Sequence, residues 1–164
     1  MAISLAHINT KGTRVFMGTI TDEEYIHDAL AKIAKKENIQ AATFELLGGI
    51  TSVELSEYNF QTRERNPSLF YFRSLEIIAG HGTISMLDGE PCVHLHLTLS
   101  YQDEEANNAG VVVIGGHASS AKAFAVEFTL TAYDGVPVHR AMHEGTSLKL
   151  WDLDPFPSSP KSDM

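Results

Sequence analysis

Residues Cys92-Val93-His94-Leu95-His96-Leu97-Thr98-Leu99-Ser100 alternate apolar and polar without a break. Period-2 alternation is the pattern of a half-buried β-strand. It places Val93, Leu95, Leu97 and Leu99 on one face and His94 and His96 on the other. Such a strand belongs in a sheet with a core beneath its apolar face. Asp88-Gly89, just upstream, is a strong hairpin signal joining this strand to a run at 83–87.

The rest of the pattern is mostly extended. Residues 14–20 read as a strand. Thr21-Asp22-Glu23-Glu24 then has the form of a capping box, with Thr21 as N-cap and Glu24 reaching back. Ile26, Ala29, Leu30, Ile33 and Ala34 follow at helical spacing. Lys35-Lys36 suit the negative end of that helix, and Asn38 can close it in a left-handed conformation. Residues 41–47 and 50–58 read as strand on either side of a bulge or turn at Gly48-Gly49. A polar loop is expected over 59–68, then an extended run from 69 to 79 that Gly80-His81-Gly82 interrupts. Beyond the strand at 91–101 come an acidic loop (103–110), a short buried strand (111–114), Gly115-Gly116-His117, and an alternating strand at 125–133. Asp134-Gly135 offers a second hairpin, and residues 136–153 are mixed. Many strands with one early helix predict an α/β chain of the α+β type with a mostly antiparallel sheet. One domain is expected over 1–153, with a disordered Pro- and Ser-rich tail over 154–164.

The formal net charge is −9, from 12 basic and 21 acidic side chains. Binding to a phosphate backbone calls for a basic face, so direct DNA binding is disfavoured. The single cysteine, Cys92, excludes an internal disulfide and a Cys-rich zinc ribbon. No run reaches the roughly 18 apolar residues of a membrane span, and no secretory leader is legible, which predicts a cytoplasmic protein.

The chemistry is carried by the histidines. Residues two apart on a strand lie about 6.7 Å apart. Two imidazoles can bridge that span to one ion bonded at about 2.0–2.1 Å from each ring nitrogen. His94 and His96 therefore fit one site, and His117, after a flexible Gly-Gly step, is the third candidate. Three neutral imidazoles leave one tetrahedral position open to water or a ligand, as catalytic zinc sites do. The competing reading is three unliganded polar residues on the second face of the sheet. Cys92 shares the face but lies too far from His96 to join it on one ion. Glu76 and Glu127 are candidates for outer support of the ligands or for a general base. His7, His27, His81, His139 and His143 show no ligand spacing.

These residues, in this order, resemble the plants-and-prokaryotes conserved (PPC) domain family. The resemblance covers about residues 13–150. It rests on the strand opened by Arg14, the helix after it, Gly48-Gly49, Glu76-Ile77-Ile78 followed by Gly82, His94-Leu95-His96, Gly115-Gly116-His117, and Glu127 on the next strand. It implies a mostly antiparallel sheet with flanking helices, assembled as a homotrimer. It also implies a metal, commonly zinc, on His94, His96 and His117 near subunit contacts. Plant members carry an Arg-Gly-Arg-Pro hook for A·T-rich minor grooves; this sequence has none. Ser74-Leu75 stand where those members have Arg-Phe.

Three functions follow as expectations. The first is a trimeric, regulatory or ligand-binding module with a metal at the three histidines and a small ligand on it. The second is a hydrolase-like enzyme using metal-bound water. The third is a DNA-associated regulator like the hook-bearing relatives.

Overall fold

The structure, a computed structural model, describes residues 3–103 and 110–155. In chain order the elements are β1 (Gly12–Thr21), α1 (Ile26–Lys36), β2 (Ala42–Ser56), β3 (Tyr58–Asn59), β4 (Glu64–Arg65), β5 (Leu69–Leu87), β6 (Glu90–Gln102), β7 (Val111–Asp134), β8 (Arg140–His143) and β9 (Leu148–Trp151). Five long strands form one antiparallel sheet in the order β1-β7-β2-β5-β6, and β6 also pairs with β7. The second pairing closes the sheet into a barrel-like wall. It is possible because β7 is long and serves two partners. Its first part, 111–118, pairs with β6, and its later part, from His117 onward, pairs with β2.

The expected strands at 111–114 and 125–133 are thus two ends of one strand. Val111 and Val113 are exposed rather than buried. Gly80-His81-Gly82 does not interrupt β5, which runs through all three residues paired to β2 and β6. Gly48-Gly49 does mark an irregularity, with shifts in the β2 register on both sides of it. The Asp88-Gly89 turn is present: both residues have positive φ (52° and 83°), and Leu87 pairs with Glu90. The two positive φ values match the twist of the flanking strands.

Among the described residues there is one α-helix, not several flanking ones. Its buried face is Ile26, Leu30 and Ala34, with Ala29 and Ile33 partly buried, and it packs on β6 and β7. Full burial of a side chain such as Ile26 or Leu30 stabilises by about 1.5–3 kcal/mol. The C-terminus closes as expected. Asn38 has φ 52°, Ile39 N–H donates to Ala34 O (2.8 Å) and Asn38 N–H to Lys35 O (3.3 Å). This is the Schellman pair of bonds.

The N-terminal capping box does not form. Tyr25, not Thr21, is the N-cap, and no side chain caps it. Backbone pairing with β7 wins instead: Glu23 N–H donates to Ala123 O (3.1 Å) and Ala123 N–H to Glu24 O (3.0 Å). The Thr21 hydroxyl turns to Asp22, and Glu24 pairs with Lys32.

Asp134-Gly135 makes no hairpin. Asp134 receives two hydrogen bonds from Arg14 (2.8 and 2.9 Å), whose third nitrogen reaches the Glu37 carbonyl (3.0 Å). Arg14 thereby ties the end of β7 to the end of α1. The mixed segment forms the hairpin β8–β9, and the polar loop holds the hairpin β3–β4. Tyr58 joins the two by donating to the Thr146 carbonyl (2.6 Å). Of the acidic loop, residues 104–109 lie outside the described residues. So does the expected tail from 156 on; before that, Leu5 N–H donates to Asp154 O (3.0 Å). No described helix is long and apolar enough to cross a membrane.

Candidate metal centre

β6 sits between β5 and β7, and its alternation decides what it shows each side. Leu95, Leu97 and Leu99 are buried in the core. His94 and His96 project from the opposite face. The β6–β7 register sets His117 directly across from His96. Close approach of the two strands depends on Gly115, where a Cβ would stand 2.7 Å from the Leu97 carbonyl oxygen.

The three imidazoles form a triangle. Ring centroids are 5.1 Å apart for His94–His96, 5.0 Å for His94–His117 and 5.3 Å for His96–His117. One ring nitrogen from each lies within 4.8 Å of the others. A tetrahedral ion with bonds of about 2.1 Å would set the nitrogens about 3.4 Å apart. Modest side-chain rotations span the difference. A set of three neutral nitrogen donors suits zinc and its transition-metal neighbours.

The cluster lines a cleft of about 1240 Å³ between the two small hairpins, with Arg65 from β4 and Arg140 from β8 on its walls. Arg140 lies 3.5 Å from His94 Nδ1. Nothing in the sequence signals either arginine, because neither has a spacing relation to the histidines. His81 shows no ligand spacing in the sequence, yet its place beside the cluster is readable there. Counting back from the Asp88-Gly89 turn places His81 opposite His96, and the two rings are 6.5 Å apart. His81 is outside the triangle. Cys92 lines the cleft but is not part of the cluster either. Glu76 and Glu127 are exposed and line no part of this cleft; Glu127 faces a separate depression with Met17, Leu47, Ile78 and His81.

Burial and neighbouring charge keep the imidazoles neutral. Desolvation, then the Arg140 guanidinium, lowers His94 to about 4. Desolvation, then Arg65, lowers His117 to about 4. His96 is lowered as well, by desolvation and then by His81. Lone pairs are therefore available to a metal at neutral pH without displacing protons. In the metal-free protein the same shifts have a stability cost in acid. An unfolded imidazole takes its proton near 6.5 and folded His94 and His117 take theirs near 4, so the unfolded state binds more protons in between. Stability is expected to fall as pH drops from about 6.5 to 4. Melting temperatures of chelator-treated protein across that window should decline, and the decline should be shallower in His94→Gln/His117→Gln.

Fold and site define a barrel-like, mostly antiparallel β protein whose three-histidine cluster has the donor set to hold a metal. The model of the Plants and Prokaryotes Conserved (PCC) domain matches residues 7–134, and the chain belongs to that family. Among solved structures it is similar to a metal-containing protein from Archaeoglobus fulgidus. That pair is 26% identical, with 92% of this chain and 99% of that one covered and a TM-score of 0.76. It is also similar to a plant- and prokaryote-conserved protein from Pyrococcus horikoshii (25% identity, 87% and 94% covered, TM-score 0.75). A protein from Bacteroides thetaiotaomicron, provisionally called DNA-binding, shares the fold at 22% identity (85% and 92% covered, TM-score 0.72). A comparison with curated proteins finds no match.

Proposed function

We propose that this protein is a homotrimeric metal-binding module in which His94, His96 and His117 hold a zinc ion and a small ligand takes the remaining position. The observation that carries the reading is the convergence of three ring nitrogens, from two strands, to within 4.8 Å. The metal-containing relative from Archaeoglobus supports it. The ion would supply a fixed positive charge and one exchangeable coordination position. The chain's own residues do the rest: Leu95 and Leu97 anchor β6 in the core, Gly115 draws β7 against it, and burial holds the imidazoles neutral. We assign the module a regulatory or ligand-binding role. Neither Glu76 nor Glu127 reaches the cleft to move a proton, and an overall charge of −9 opposes a DNA role.

Metal analysis tests the proposal. Protein dialysed against zinc and then against buffer should retain about one zinc per chain, and no retained metal would refute it. The trimer rests on exposed apolar surface. Met17 (83% exposed), Leu47 (57%) and Ile78 (56%) border one depression on the outer face of β1, β2 and β5. An apolar patch of this kind on a soluble chain marks an interaction surface. Light scattering should give three times the chain mass for the wild type and one chain mass for Met17→Asp/Ile78→Asp. A wild type of single-chain mass would end the assignment.

A further inference from the structure

Arg140 and Arg65 are both held in place, and neither pairs with a carboxylate among the described residues. Arg140 Nε donates to Ser85 Oγ (2.7 Å), which is fully buried, one terminal nitrogen donates to the Lys149 carbonyl (2.9 Å), and the other to Thr83 Oγ1 (3.3 Å). Arg65 donates to Ser56 Oγ (2.9 Å), which is also buried. These four acceptors are uncharged, and so is His94 Nδ1, 3.5 Å from the Arg140 nitrogen that reaches Thr83. The ion pairs among the described residues involve Arg14, Lys32 and Lys35, and none reaches the cleft. Among the described residues the one carboxylate on the cleft lining, Glu57, accepts a hydrogen bond from Asn66. In a chain with 21 acidic and 12 basic side chains, two fixed guanidiniums with no carboxylate partner among the described residues run against the prevailing charge. Both face the three-histidine cluster, whose neutral imidazoles would leave a bound divalent ion's charge uncompensated. The rest of the lining is apolar in part, with Leu55, Tyr71, Ile114 and Leu148, and the cleft of about 1240 Å³ exceeds what a lone inorganic ion fills.

We propose that the cleft binds a small organic oxyanion, its acid head between Arg65, Arg140 and the three-histidine cluster and its apolar body on Leu55, Tyr71, Ile114 and Leu148. Guanidinium donors match the oxygens of a carboxylate or a phosphate, often two at once. The arginines carry this recognition, and the metal's share in it rests on the function proposed above.

Calorimetric titration separates the two. The probes are benzoate, phenylphosphonate and the neutral benzamide, each added to zinc-treated and to chelator-treated full-length protein, with zinc content measured in parallel. At least one of the two anions is expected to bind at least tenfold more tightly than benzamide, and which one does identifies the head group. Arg65→Gln, an exposed side chain whose loss leaves the core untouched, should weaken that anion at least tenfold and leave zinc content unchanged. Arg140→Gln should do the same, and its circular dichroism confirms that the β8–β9 hairpin has survived. Equal binding of the anions and benzamide overturns the inference. So does wild-type anion affinity in both arginine variants. Should the wild type take up no zinc yet keep its arginine-dependent preference for an anion, the metal reading fails and this one stands.

Discussion

Replacing His94 and His117 together by alanine is expected to reduce bound zinc from about one per chain to less than a tenth. The three ring nitrogens surround a single point, and removing two leaves His96 alone, an exposed imidazole that cannot retain an ion through dialysis. The fold should survive. His94 and His117 project away from the core that Leu95 and Ala118 enter, and their folded state carries the cost of desolvated nitrogens. A melting temperature at or above that of the metal-free wild type is therefore expected. His81→Ala is the control. His81 lies opposite His96 but outside the triangle, so this variant should keep its zinc. A double variant that stays loaded, or a His81 variant that empties, would show that the ion is held elsewhere.

How much of this was readable in the residues differs from element to element. The β6 alternation, the Asp88-Gly89 turn, the apolar stripe of α1 and the Asn38 closure are local, and each is present. The three histidines were legible because two share a strand face and the third follows a glycine step. Failures came where distant chain decided the outcome. The Thr21 capping box lost to backbone bonds from Ala123, about a hundred residues on. The two parts of β7 read as separate strands because its partner changes near His117, and a change of partner leaves no mark on a local pattern. Arg65 and Arg140 reach the cleft on two short hairpins whose placement depends on the closed sheet. Glu76 and Glu127 fit an order of motifs along the chain, but order does not say which side chains line the cleft, and neither of these does.

Gly82→Ala is expected to lower the melting temperature by about 6–12 °C, corresponding to about 3 kcal/mol of overpacking in a chain of this size. The Gly80-His81-Gly82 sequence has the composition of a turn, yet these glycines are in mid-strand for lack of room. A Cβ on Gly82 would stand 2.2 Å from the His94 carbonyl oxygen and 2.4 Å from the Phe44 ring. The ring can tilt, but the carbonyl belongs to the β6 backbone and cannot yield without moving β6. Because that carbonyl is the backbone of a histidine in the cluster, the strain reaches the site. Zinc affinity should fall in Gly82→Ala although no imidazole is altered. Gly89→Ala separates space from backbone strain. Gly89 has positive φ (83°) with nothing within 4 Å of its Cβ position, so alanine there meets only the conformational cost, about 1 kcal/mol. Thermal melts and zinc titrations of the two variants side by side provide the measurement. Equal melting temperatures, or unchanged zinc affinity in Gly82→Ala, would mean that β5 and β6 are less tightly apposed behind the histidines than the 2.2 Å approach requires.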